Sequence, residues 1–142
     1  MIIKQLSVFL ENKTGRLNEV TTLLGEAQIN VTAFNIADTS EFGILRMIVS
    51  EPDKALAVLK AASFSVSLTD VICLSTPNQP GALAKALNIL ADEGISIEYL
   101  YAYSNERKSA NIMLKPTDIQ KCIEVLKKHQ MELVKASDLY KI

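Results

Sequence analysis

The chain repeats itself. Asn12-Lys13-Thr14-Gly15-Arg16-Leu17 returns sixty-six positions later as Asn78-Gln79-Pro80-Gly81-Ala82-Leu83. Each copy follows an apolar run and opens a pattern with helical spacing. Such a repeat divides the 142 residues into two units, each of roughly 70 residues, a size at which a lone domain is marginally stable and gains from burying a face on a neighbour. It also implies a pseudo-symmetric interface between the two copies.

Periodicity supplies the order of elements. Ile2 to Leu10 is apolar-rich and reads as a strand, and Asn12 to Thr14 is turn chemistry with Gly15 admitting a tight backbone. Leu17, Val20, Leu24 and Ala27 fall on one helical face. Asn30 to Asp38 alternates as a strand with Phe34 and Ile36 on one side, Thr39-Ser40-Glu41 is a turn, and Phe42 to Val49 is a third strand. Pro52 opens a helix carried by Leu56, Leu59 and Ala62, and Phe64 to Leu68 is strand-like. The second copy follows suit: a strand over Val71 to Ser75, a helix from Pro80-Gly81 carrying Leu83, Leu87 and Leu90, and Gly94 as its left-handed cap. Then come strands over Ile95 to Ser104 and Ser109 to Lys115, joined at Asn105-Glu106-Arg107. Thr117 and Gln120 have capping-box spacing for a helix with face Ile119, Ile123 and Leu126, and Met131 to Tyr140 reads as the last strand. Each copy is therefore β-α-β-β-α-β. The expected fold class is α+β: two ferredoxin-like units, residues 1–69 and 70–142, each an antiparallel sheet with two helices on one face. Phe64 to Thr76 reads either as two strands broken at Thr69-Asp70 or as one long strand, so the two sheets share or exchange edge strands in a way periodicity leaves open.

Bulk properties narrow the function classes. Apolar residues make up 49% and charged residues 22% of the chain, an ordinary globular composition. A net charge of -1 gives no long-range attraction to nucleic acid or to an anionic membrane. The first residues lack a signal peptide's apolar core, and no apolar run reaches the ~20 residues of a membrane span. Cys73 and Cys122 have no metal-ligand or redox spacing, so a reducing, cytoplasmic compartment is expected.

The unit order, with Asn-x-Pro-Gly-x-Leu at its first strand-to-helix turn, resembles the ACT domain, the small regulatory module of amino-acid metabolism. Thr76 to Leu83 followed by Glu93-Gly94-Ile95-Ser96-Ile97 is similar to the family pattern; Leu10 to Leu17 followed by Ala27-Gln28-Ile29-Asn30-Val31 keeps the glycine and leucine but has Thr14 in place of proline. The resemblance covers the whole chain twice. It implies that domains pair, often side by side, and bind a free L-amino acid between the first turn of one and the second strand of the other. The implied ligand-binding residues are Asn12, Thr14, Gly15, Arg16, Leu17 and Asn30 from the first copy, and Thr76, Asn78, Gln79, Pro80, Gly81, Ala82, Leu83 and Ser96 from the second. The chemistry suits a zwitterion. Glycine lets backbone amides approach a carboxylate, the helix N-terminus favours an anion, and the asparagine amides both donate and accept. The fuller motif of the second turn, paired with Asn30, makes it the preferred site. With no catalytic domain beside the two copies, the expected protein is a tandem regulator, a homodimer, that signals to a separate enzyme or transporter.

Other readings explain less. Asn and Gly favour caps and turns in any case, which would make the repeat purely structural. Tyr99, Tyr101 and Tyr103 share one face of a strand, as base-stacking aromatics do, but RNA-binding folds of this order carry them on the first and third strands, and no basic patch accompanies them. His129 and Lys127-Lys128 suit a helix C-terminus, and the two cysteines suit a core. No nucleophile-base set, paired carboxylates, Walker loop or dinucleotide fingerprint occurs, so neither an enzyme nor a bound cofactor or metal is expected. A ligand-free interaction module and an acylphosphatase-like enzyme are the alternatives, although acylphosphatase's phosphate-cradling loop is missing at both turns.

Overall fold

The computed structural model describes residues 1–38, 41–103 and 108–140. The turn over Asn105-Glu106-Arg107 and most of that over Thr39-Ser40-Glu41 lie outside the described residues. In chain order the elements are β1 (Ile3–Glu11), α1 (Arg16–Glu26), β2 (Val31–Asp38), β3 (Phe42–Val49), α2 (Pro52–Ala61), β4 (Ser65–Pro77), α3 (Ala82–Asp92), β5 (Ile97–Tyr103), β6 (Ser109–Pro116), α4 (Ile119–Lys128), β7 (Glu132–Leu133) and α5 (Ala136–Tyr140). The chain clusters into two compact units, one of Lys4–Thr69 with the segment from Ser137, the other of Met1–Ile3 with Asp70–Ala136.

The first unit orders its strands β2-β3-β1-β4. β3 runs antiparallel to both β1 and β2, with Val8 opposite Leu45 and Ile36 opposite Leu45 on its two sides. Alternate strand residues Leu6, Val8, Leu10, Leu45, Met47 and Val49 face α1 and α2, where Val20, Leu24, Ala55 and Leu59 complete a core. The second unit repeats this plan. β4 and β5 flank β6, β7 pairs with β4 at Leu74, and Ile72, Leu74, Ile112 and Leu114 pack under Ala86, Leu90, Cys122 and Leu126 of α3 and α4. Each unit is thus a ferredoxin-like β-α-β-β-α-β sandwich.

All four long helices end alike. Gln28, Ser63, Gly94 and Gln130 take positive φ, and the next residue's N–H reaches back to a leucine carbonyl: Ile29 to Leu24, Phe64 to Leu59, Ile95 to Leu90 and Met131 to Leu126. This is the Schellman cap with its apolar clasp. The left-handed Gly94, with φ 74°, is as expected, and the same geometry explains three non-glycine residues of positive φ.

One open alternative is settled and three expectations need correction. Of the two readings of Phe64 to Thr76, the single long strand holds: β4 is one 13-residue strand whose first residues complete the first sheet and whose remainder begins the second. Met131 to Tyr140 is not a strand. Only Glu132–Leu133 pairs, and Ala136–Tyr140 is a short helix with Leu139 buried and Tyr140 Oη accepting a hydrogen bond from Lys4 N at 2.8 Å. The fourth helix is capped by Asp118, whose carboxylate accepts from Lys121 N at 3.1 Å, not by Thr117. Thr117 is occupied elsewhere, since its N–H and hydroxyl both donate to Ser96 O. Finally, Leu17 is 40% exposed, and Leu56, Leu83 and Leu87 are half-buried instead of core. Leu17 lies in the first turn of α1, where the helix overhangs the edge strand β2.

Candidate functional site

The two repeated turns have one backbone. Gly15 has φ 92°, ψ -13° and Gly81 φ 85°, ψ -10°, each as the N-cap of its helix. Their hydrogen bonds correspond one for one. Asn12 N donates to Glu41 O as Asn78 N does to Lys108 O; Lys13 N to Glu11 O as Gln79 N to Pro77 O; Arg16 N to Lys13 O as Ala82 N to Gln79 O; and Glu19 N to Gly15 O as Lys85 N to Gly81 O. The change from Pro80 to Thr14 leaves the conformation intact, so proline does not distinguish the two turns. The N-cap residue of each helix is a glycine and offers no side-chain cap, in contrast to Asp118 at α4. A Cβ added at Gly15 or Gly81 would meet nothing within 4 Å, so glycine is required by φ alone and the space over each turn is open.

The expected site residues separate into groups. Asn12, Thr14, Gly15, Arg16 and Leu17 cluster at the start of α1, and Asn78, Gln79, Pro80, Gly81, Ala82 and Leu83 at the start of α3, all exposed or half-buried. Thr76 differs: it is 4% exposed, paired with Ala110 inside the sheet, and has no open surface to offer a ligand. Asn30 and Ser96 are exposed but sit beyond the C-terminal ends of α1 and α3. An 11-residue helix spans ~16 Å, so neither residue meets the turn of its own unit. Their backbones play the same structural part, for Asn30 O accepts from Ser50 N as Ser96 O accepts from Thr117 N.

Two cavities of the first unit flank its turn. One is an apolar slot of about 480 Å³ between α1 and β2, walled by Leu17, Thr21, Phe34, Ile36 and Met47. Phe34 is 70% exposed there. The other, of about 280 Å³, opens beside Glu11, Arg16, Phe9, Phe42 and Phe64. Lys13 hydrogen-bonds Glu11 and, with Arg16, holds its carboxyl below the usual range, so it stays ionised at neutral pH. These wall residues were missed from sequence, apart from Arg16 and Leu17. The available signal was the Phe34-x-Ile36 alternation on a strand without a charged residue from Val31 to Ala37.

The family described as an ACT domain pair matches residues 1–142. The chain belongs to that family. The crystal structure of protein BT0572 from Bacteroides thetaiotaomicron is similar at 54% identity and TM-score 0.95, covering 100% of this chain and 98% of that one. Regulatory subunits of aspartate kinase from Thermus thermophilus (16% identity, 89% and 93% coverage, TM-score 0.66) and Thermus flavus (17%, 90% and 92%, 0.62) share the fold. No curated protein matches. Among the described residues of this ACT domain pair, no cluster of His, Cys, Asp or Glu could hold a metal, and no helix is long and apolar enough to cross a membrane. Cys73 and Cys122 are free and buried; burial pushes their thiols up to about 12 and about 11.

Proposed function

We propose that this ACT domain pair is a regulatory protein, not an enzyme, that binds a free L-amino acid at its strand-to-helix turns and passes that occupancy to a separate enzyme or transporter. The observation that carries the reading is the left-handed glycine turn built twice with matching hydrogen bonds, each opening a helix whose N-cap residue has no side chain. First-turn N–H groups and the helix dipole suit a carboxylate, and the open space above Gly15 and Gly81 leaves room for one. Asn12 and Asn78 would bind the rest of the head group. A role for Asn30 or Ser96 requires a turn other than that of its own unit. Two free, buried thiols fit a reducing compartment such as the cytoplasm.

A homodimer is part of the proposal. β2 ends its sheet, carries no charge from Val31 to Ala37, and lies beside the slot from which Phe34 projects. Uncharged edges invite strand pairing, and an apolar slot beside one adds area to bury. Phe34→Lys should convert a sedimenting dimer to a monomer; a wild type that sediments as a monomer contradicts this part.

Calorimetric titration with each of the twenty amino acids tests the main reading. Saturable binding of one or a few is expected. No heat and no thermal shift with any of them would sink it and favour a ligand-free interaction module docking through the same slot.

A further inference from the structure

The cavity beside the first turn has a chemistry that the second unit lacks. Arg16 and Glu11 form an ion pair on its wall, Nη2 to Oε1 at 3.7 Å. Arg16 is steadied from two other directions, by Glu19 at 3.2 Å and by the Phe64 ring 6.0 Å from its guanidinium carbon. Glu11 is steadied by Lys13 at 2.8 Å. Next to this ion pair Phe9 and Phe42 stack, with centroids 5.0 Å apart and planes at 28°, yet they stay 48% and 38% exposed. A stacked pair of phenylalanines left open at the mouth of a cavity is surface that a flat apolar group would cover.

The duplication separates folding from function. Strand register places Ser109 where Phe42 stands, opposite Pro77 in place of Glu11. Ser75 and Ala82 replace Phe9 and Arg16. The second unit builds the same turn with the same hydrogen bonds and none of these four side chains. The fold therefore does not need them, and their presence together in one unit calls for a ligand.

We propose that this cavity binds an L-amino acid with an aromatic side chain, its carboxylate held by the Arg16 guanidinium together with the first-turn amides of α1, its ammonium on Glu11 and its ring against Phe9 and Phe42. The short distance between the protein's own charges matches a head group whose two charges hang from one carbon, and not a longer ω-amino acid. Capacity remains on both sides: a guanidinium has five donors and a carboxylate about four acceptor positions. A volume of about 280 Å³ lies at the lower limit for small-molecule sites, as a single amino acid requires. The proposal rests on the reading that this protein binds a free amino acid, and names the unit and the ligand class.

The test uses the intact protein and three probes in calorimetry: L-phenylalanine, 3-phenylpropanoate, which lacks the ammonium, and 2-phenylethylamine, which lacks the carboxylate. L-Phenylalanine should bind at least about tenfold more tightly than either analogue, as expected for one lost charged hydrogen bond. Arg16→Gln should weaken L-phenylalanine by a similar factor and leave 2-phenylethylamine unchanged; Glu11→Gln should do the same for L-phenylalanine and leave 3-phenylpropanoate unchanged. Should one variant fail to fold by circular dichroism, the other and the wild-type analogue series still decide. Binding of a non-aromatic amino acid alone, or aromatic binding indifferent to both substitutions, overturns the proposal and leaves the broader reading standing. No binding by any amino acid overturns both.

Discussion

Replacing Gly15 and Gly25 by alanine, one at a time, makes the same chemical change in the same unit with opposite expected signs. Gly15 has φ 92°, and an added Cβ meets nothing within 4 Å. The whole cost is therefore local: an L-residue held in the left-handed region loses ~1–2 kcal/mol. Loss of freedom in the unfolded chain returns ~0.4–1 kcal/mol, leaving a net destabilisation of about 1 kcal/mol. Gly25 lies within α1, also has open space around it, and lacks a positive φ. Alanine there gains up to ~1 kcal/mol of helix propensity. The variants should thus differ by roughly 1.5–2 kcal/mol, or about 1 M in urea midpoint for an m-value near 2 kcal/mol/M. Urea titration followed by far-ultraviolet circular dichroism reads this directly. If Gly15→Ala stabilises the protein as much as Gly25→Ala, the turn is not left-handed and the binding account loses its foundation.

Leu90→Ala removes a fully buried side chain and should cost ~2–5 kcal/mol, whereas Leu17→Ala, at the rim of the slot, should cost under ~1 kcal/mol in the monomer; chemical denaturation separates them. Asp118→Ala deletes the cap of α4 and should cost ~1 kcal/mol, more than Thr117→Ala, by thermal melting. Cys73 is shielded from water, so thiol reagents at pH 8 should label it only after denaturant is added. Because its folded value of about 12 lies above the ordinary 9.0, the unfolded chain ionises first, and this contribution to stability is lost as pH rises from 9 toward 12. Cys73→Ala should therefore show a shallower alkaline decline.

The fold was legible because it rests on periodic and local signals. Gly94 marks a helix end, and Asn12-to-Leu17 and Asn78-to-Leu83 mark helix starts, in whatever context they occur. Long-range pairing was not legible. Thr69-Asp70 looks like a break until one sees that an extended residue can finish one sheet and start another, with Thr69 Oγ1 3.1 Å from Ser7 Oγ. The C-terminal apolar run looked like a strand because Leu139 and Tyr140 are apolar; a short helix buries Leu139 just as well. At the candidate site, the turns were found by motif. The phenylalanines around Arg16 were not, because Phe9, Phe42 and Phe64 come together only through strand pairing and the end of α2. Thr76 was included through its neighbourhood in sequence, although strand alternation turns it inward.

Nitrogen-15 NMR titration with the bound amino acid tests the central claim most directly, because it watches the backbone amides assigned to the carboxylate. The largest shifts should fall on the amides from Gly15 to Asn18, or from Gly81 to Ala84, at the starts of α1 and α3. Saturable binding whose shifts lie elsewhere, with both turns unmoved, would contradict the account.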